Sequence, residues 1–219
     1  MEKIKNYLKN IGIKRFIAMI VGNIILGLGI AIFKFAGMGN DPYTAMIFGV
    51  SDYFGFYFPV FQICFNFGVF VIFELTLGRK YIGVGTIVNM FFLGYIVNFF
   101  VETLYGMFSE PVTFLQQLPV MLIGVIVTCF GVSFYQTSDA GVSPYDSVSI
   151  IMAERIEKLP YFWARIFTDT LSTIVCFMTG GLLGLGTLVC AFGIGPIVQF
   201  FNTYVSEPVI IGKKQINDK

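Results

Sequence analysis

Five stretches of the chain contain no charged residue: 16–33, 53–73, 81–101, 111–138 and 170–206. A helix needs about 20 apolar residues to cross the hydrocarbon core of a bilayer, and only self-satisfied backbones such as helices cross it. The last stretch is far too long for one crossing, and "GGLLGLG" at 180–186 divides it. Six spans are expected, over roughly 15–36, 59–77, 82–105, 115–136, 160–180 and 185–205. Composition agrees. Only 12% of residues are charged and 56% are hydrophobic, against about one quarter charged in a soluble domain, and mean hydropathy is +0.80.

The N-terminus, "MEKIKNYLKNIGIKRF", is basic and leads into an apolar run, as a signal peptide would. The uncharged run from Phe16 to Phe33 is longer than a usual signal core, and no convincing small-residue cleavage site follows it. A retained first span is expected. Ile4, Leu8 and Ile11 suit a short amphipathic helix on the membrane surface.

The distribution of Lys and Arg sets an orientation. Lys3, Lys5, Lys9, Lys14 and Arg15 precede the first span, and Arg79 and Lys80 lie between the second and third. Arg155 and Lys158 lie between the fourth and fifth, and Lys213, Lys214 and Lys219 follow the sixth. These are twelve of the fourteen basic residues, all on one side of a six-span layout, while the opposite loops near 106–114 and 180–184 have none. The positive-inside pattern then puts both termini in the cytoplasm.

The chain also repeats itself. "GMGNDPYTA" at 37–45 is echoed by "DAGVSPYDS" at 139–147, with Gly39, Pro42 and Tyr43 recurring as Gly141, Pro144 and Tyr145. "GVGT" at 83–86 returns as "GLGT" at 184–187, "GYIVNFF" at 94–100 as "GPIVQFF" at 195–201, and Pro59 as Pro160. Each half has one span, a break with a helix too short to cross, then two spans. Three spans per half is an odd number, so the halves are expected to have opposite orientation. The expected fold is all-α and polytopic, with six transmembrane helices as two inverted three-helix repeats. Each repeat carries a short broken or interfacial helix after its first span. The divisions are a basic cytoplasmic arm at 1–14, repeats at 15–106 and 115–206, and a cytoplasmic tail at 207–219. Inverted repeats are common in secondary transporters, where one half rocks against the other. Some channels and membrane scaffolds are duplicated as well.

With these segments, "GLGIAIFKFAGMGNDPYTA" and "GVGTIVNMFFLGYIVNFF" in the first half, and "GVSFYQTSDAGVSPYDS" and "GLGTLVCAFGIGPIVQFF" in the second, the chain resembles the YczE/YyaS/YitT group of bacterial integral membrane proteins, most closely its YczE-like branch. The resemblance covers about residues 15–205. It implies a multi-pass protein of the bacterial plasma membrane and says little about substrate. One departure stands out: Tyr95 is found where the second half has Pro196.

Some chemistries are excluded early. The chain has no histidine, which removes the commonest metal ligand and proton shuttle. Its four cysteines, Cys64, Cys129, Cys176 and Cys190, lie in apolar runs without a CxxC pair and read as small apolar residues. No phosphate-loop motif is present. No metal, cofactor or nucleic-acid partner is expected, and no nucleophile–base pair suggests an enzyme.

The candidate site centres on the two breaks. Asp41 and Ser143 precede prolines suited to the first helical position and read as N-caps, with Asp146 completing an S-x-x-D capping box. That structural role stands beside a functional one. A helix beginning inside a membrane points free N–H groups at a ligand, and paired interrupted segments mark transporter sites. Asn40, Asp41, Tyr43, Ser143, Tyr145 and Asp146 are therefore candidate solute contacts. Gln62 and Asn66 are four residues apart on one helix face, and Arg165 and Asp169 repeat that spacing in the second half. The amides are further candidate contacts and the ion pair a candidate gate or charge neutraliser, since charged groups within spans suggest function. Arg165 also lies close enough to Pro160 to snorkel to the cytoplasmic interface.

Two functions fit. One is a small-solute transporter or permease working by alternating access between the halves. The other is a non-transporting accessory protein that docks a cytoplasmic partner through Arg155, Glu157, Lys158 and the basic arm. Partners are the bilayer and an unknown solute, or a second copy or cytoplasmic protein.

Overall fold

The computed structural model describes residues 12–77, 83–156 and 159–212, and among these every regular element is helical. The basic residues of the arm up to Lys9, together with Ile4, Leu8 and Ile11, lie outside this set. So do Arg79, Lys80, Glu157, Lys158, Lys213, Lys214 and Lys219. In chain order the helices are α1 (Ile13–Phe35), α2 (Pro42–Phe54), α3 (Phe58–Leu77) and α4 (Val84–Met107), then α5 (Phe114–Thr137), α6 (Pro144–Arg155), α7 (Tyr161–Met178) and α8 (Leu185–Phe201). A π-helical turn at Asn202–Ser206 leads into α9 (Glu207–Ile210).

Three of these helices, α1, α4 and α5, are long and apolar enough to cross a membrane, and up to five spans result if each bent pair counts as one. The pairs are α2 with Phe58–Ile72, bent by 119°, and Leu185–Ala191 with Gly193–Ile210, bent by 56°. The expected fifth crossing, α7, falls outside this set. Arg165, Thr168, Asp169, Thr170, Ser172 and Thr173 lower its hydropathy. The 56° bend explains itself: the ring of Pro196 clashes with the carbonyl four residues earlier, at position 192. Tyr95 imposes no such clash, and α4 runs unbroken.

The framework is the pair α1 and α5, which glycine lets approach closely. A Cβ on Gly22 would lie 2.6 Å from the Tyr135 backbone N, and one on Gly29 2.7 Å from the Thr128 Cα. Reciprocally, a Cβ on Gly131 would lie 2.7 Å from the Leu26 Cα, and one on Gly124 2.9 Å from the Phe33 Cα. As numbers rise along α1 they fall along α5, so the two helices run antiparallel. Small residues at such crossings maximise packing where no hydrophobic drive separates protein from lipid. Around this pair, α4 packs on α1 and α8 on α5.

The two breaks fall at opposite ends of the α1–α5 pair. Asp139 forms a 3.7 Å ion pair with Arg15 at the start of α1. Gly37 lies at the start of α5, where a Cβ would meet Gln117 at 3.5 Å. Asp139 has φ 52° and Gly37 has φ 70°, so both breaks place a left-handed residue at this matching position. Aspartate tolerates that conformation better than most residues.

Candidate functional site

Each break ends in a locally encoded helix start. Asp41 (φ −59°, ψ 149°) accepts a 3.0 Å hydrogen bond from the Thr44 N–H, and Ser143 (φ −61°, ψ 148°) accepts one of 3.1 Å from the Asp146 N–H. Pro42 and Pro144 follow, where a missing N–H costs nothing. The capping box differs from the sequence expectation in one respect. The Asp146 carboxylate accepts the Ser143 hydroxyl at 2.7 Å.

The breaks then turn back from their ends. Asn40, buried, donates to the Ile30 carbonyl at 3.3 Å and accepts the Asp41 N–H at 2.9 Å. Its Nδ2 thereby ties the break to α1, while its Oδ1 braces the break's own backbone. Neither short helix lies loose on a surface. In α2 the residues Pro42, Thr44–Gly49 and Ser51 are buried, as are Pro144, Tyr145, Ser147, Ser149 and Ile151 in α6.

Each break is also gripped by the other half. Gly85 N–H donates to Ala140 O at 2.7 Å, and Gly186 N–H donates to Met38 O at 2.9 Å. These are the same positions of GVGT and GLGT, each reaching the opposite break. The fit is close: a Cβ on Gly141 (φ 115°) would lie 2.6 Å from Gly83 N, and one on Gly39 (φ 103°) 2.6 Å from Thr187 Oγ1. Thr86 adds a 2.7 Å hydrogen bond to Val142 O, which Thr187 does not repeat. The doubled GxGT was the available signal, and only the fold shows that the copies grip across halves.

Between the two ends, the rings of Tyr43 and Tyr145 stack with centroids 4.3 Å apart and planes at 24°. The second residue of α2 thus meets the second residue of α6. Tyr43 Oη donates to Asn66 Oδ1 at 3.0 Å, and Tyr145 Oη donates to Asp169 Oδ1 at 2.8 Å. Tyr145 also shares a hydroxyl hydrogen bond with Ser172. Arg165 Nε donates to Asp169 Oδ2 at 3.2 Å, and Arg165 Nη1 pairs with Asp146 Oδ1. The guanidinium carbon lies 5.3 Å from the Tyr145 ring centroid, within cation–π range.

The structure therefore brings together Tyr43, Tyr145, Asn66, Asp146, Arg165 and Asp169, with Asp41 and Ser143 as caps at the same helix starts. Gln62 is buried one turn before Asn66 on α3, with Oε1 unpartnered and close to Gly94. The i,i+4 pairing of Arg165 with Asp169 was legible in the sequence. Asp146 was legible as a cap and candidate contact but not as the second partner of Arg165, and the contribution of Ser172 was not legible. Lys34, near the end of α1, sets its Nζ 3.4 Å from the Phe48 ring centroid, within cation–π range. Asn23 and Asn89 bond α1 to α4 at 3.1 Å, as interhelical amides do. Among the described residues, no group of three metal-ligating side chains converges.

The model of a family described as "Family of unknown function (DUF6198)" matches residues 13–203. An uncharacterized protein of Haemophilus influenzae is 26% identical over 180 residues, 81% of this chain and 78% of that protein. The uncharacterized membrane protein YczE of Bacillus subtilis is 25% identical over 181 residues, 82% of this chain and 81% of that one. The Bacillus subtilis protein YyaS is 22% identical over 175 residues, 79% and 86% of the two chains. No solved structure matches. Because the family match takes in both breaks, both GxGT segments and the tyrosine stack, the chain belongs to DUF6198, a family of unknown function with YczE-like membrane proteins among its relatives.

Proposed function

We propose that the protein is a small-solute transporter of the plasma membrane, working by alternating access between two inverted repeats of three spans each. Both termini face the cytoplasm, in line with the positive-inside distribution of Lys and Arg. The observation that carries the reading is the meeting of the α2 and α6 N-termini at the Tyr43–Tyr145 stack, reached from opposite ends of the antiparallel α1–α5 pair. Helix starts that face one another within a membrane put partial positive charge and free N–H groups around a central site. The reciprocal GxGT grips support the symmetry. Rocking requires each half to have an outer and an inner contact with the other, and the two grips supply such a pair.

In this reading Tyr43, Tyr145, Asp41 and Asp146 line the solute's path, while Arg165 and Asp169 neutralise charge within it. The test is solute movement by purified protein in liposomes. Asp41→Asn and Asp169→Asn are each expected to abolish movement while expression persists. Full transport by both variants would remove this site.

A further inference from the structure

The two halves of the tyrosine site are built alike but not completed alike. Around Tyr145 the polar groups close on one another. The ring hydroxyl meets Asp169 and Ser172, Asp169 meets Arg165, Arg165 meets Asp146, and Asp146 meets Ser143. Around Tyr43 the matching positions hold Asn66 for Asp169, Gln62 for Arg165, Thr44 for Asp146 and Val69 for Ser172. Here the network stays open. Asn66 is 1% exposed and its Oδ1 takes the Tyr43 hydroxyl, yet its Nδ2 has no partner. Gln62 is 3% exposed and its Oε1 has none. Because Nδ2 and Oδ1 share one carbon, the open donor lies beside the Tyr43 hydroxyl, at the stack itself. Buried amide groups left unpaired are costly and rare, so two within one turn of α3 mark a place for a partner.

The chemistry of that partner follows from the groups present. It must offer an acceptor to Asn66 Nδ2 and a donor to Gln62 Oε1. An anion is disfavoured, because Asp169 already stands at the Tyr145 hydroxyl across the stack and the one guanidinium there, Arg165, is engaged by Asp146 and Asp169. A cation is disfavoured at the open donor of Asn66. The geometry points to an uncharged solute with an amide- or urea-like edge, held on the Tyr43 side of the stack by Asn66 and Gln62. The inference rests on this site being the solute's.

Side-chain amide resonances of 15N-labelled protein in nanodiscs test it, with Asn66 assigned by its loss in Asn66→Asp and Gln62 by its loss in Gln62→Glu. Acetamide is the neutral probe, with acetate and methylammonium as its charged counterparts. The Asn66 resonance is expected to shift saturably with acetamide and not with acetate. Asn66→Asp keeps the acceptor for Tyr43 but replaces the donor with a second acceptor. It is expected to remain folded and to exchange the acetamide response, read at Gln62, for a methylammonium response. No saturable shift with acetamide, which would leave water alone at the open atoms, overturns the inference, as does an equal shift with acetate. Liposome flux keeps the two readings apart. Binding of acetamide by a protein that moves no solute upholds the subsite and overturns the transporter. Transport of an anion that persists in Asn66→Asp does the reverse.

Discussion

Tyr43 and Tyr145 stand at the same position of two matching segments, and their rings lie face to face with centroids 4.3 Å apart. Each ring is held at its hydroxyl by the helix that follows it in its own half, by Asn66 on α3 and by Asp169 on α7. At the tyrosines the contact between the halves is therefore aromatic, while the polar anchors of the two rings stay within each half. Separation of the halves at this point breaks a stack and no hydrogen bond.

A double-mutant cycle measures that stack. Tyr43→Leu and Tyr145→Leu, alone and together, are expected to show a coupling of about 1 kcal/mol in unfolding from mild detergent, the usual size for an aromatic pair beyond its buried area. Strictly additive losses would mean that the rings do not interact.

The Arg165 cluster predicts a rescue. Arg165→Met leaves Asp146 and Asp169 facing each other without their cation. Removing one partner of a fully buried pair costs about 3–5 kcal/mol, but these side chains keep between 15% and 31% of their exposure, so about 2 kcal/mol is expected. Adding Asp169→Asn to Arg165→Met is expected to recover at least half of that loss in the same unfolding measurement.

The grips predict a contrast among glycines. Gly141→Ala meets both a left-handed φ of 115° and the Gly83 backbone at 2.6 Å, and is expected to cost about 2 kcal/mol. Gly68→Ala, on an exposed face of α3 with nothing within 4 Å of the new Cβ, is expected to leave stability unchanged or raise it by up to about 1 kcal/mol, as Ala for Gly within a helix does. Equal effects at the two positions would deny the grip.

The two grips are also unequal. Thr86→Val loses the hydrogen bond to Val142 O, whereas Thr187→Val loses no counterpart. Thr86→Val is expected to be the more destabilising by about 1 kcal/mol in thermal unfolding.

What could be read from the sequence was mostly local. Asp41-Pro42 and Ser143-Pro144 announce helix starts because a cap acts within three residues, and the structure gives both caps nearly identical backbone angles. Arg165 and Asp169 announce each other because they are one turn apart. The Arg165–Asp146 pair and the tyrosine stack required knowing that α6 packs on α7 and that the breaks turn back toward each other, which no spacing states. The glycines of GVGT and GLGT were legible as a repeat, but not as to the break each one meets. The contact of Lys34 with Phe48 was not legible either, because an aromatic ring in a neighbouring helix is invisible in the run that contains the lysine. The expected fifth span shows the limit of counting uncharged residues. The polar groups that α7 brings to the tyrosine cluster are the same groups that lower its hydropathy below that of the long apolar helices.

The glycine seam between α1 and α5 bears on how the protein is made. Gly22 and Gly29 shape one face of α1 for a helix that the ribosome has yet to produce, since Gly124 and Gly131 lie in the other half of the chain. When α1 enters the bilayer, that face has only lipid against it, and the first half waits with its groove unfilled. The seam closes only once α5 has been made and lies antiparallel against α1. A chain released before that step would present an open seam to any small-faced helix nearby, including the α1 of another nascent copy.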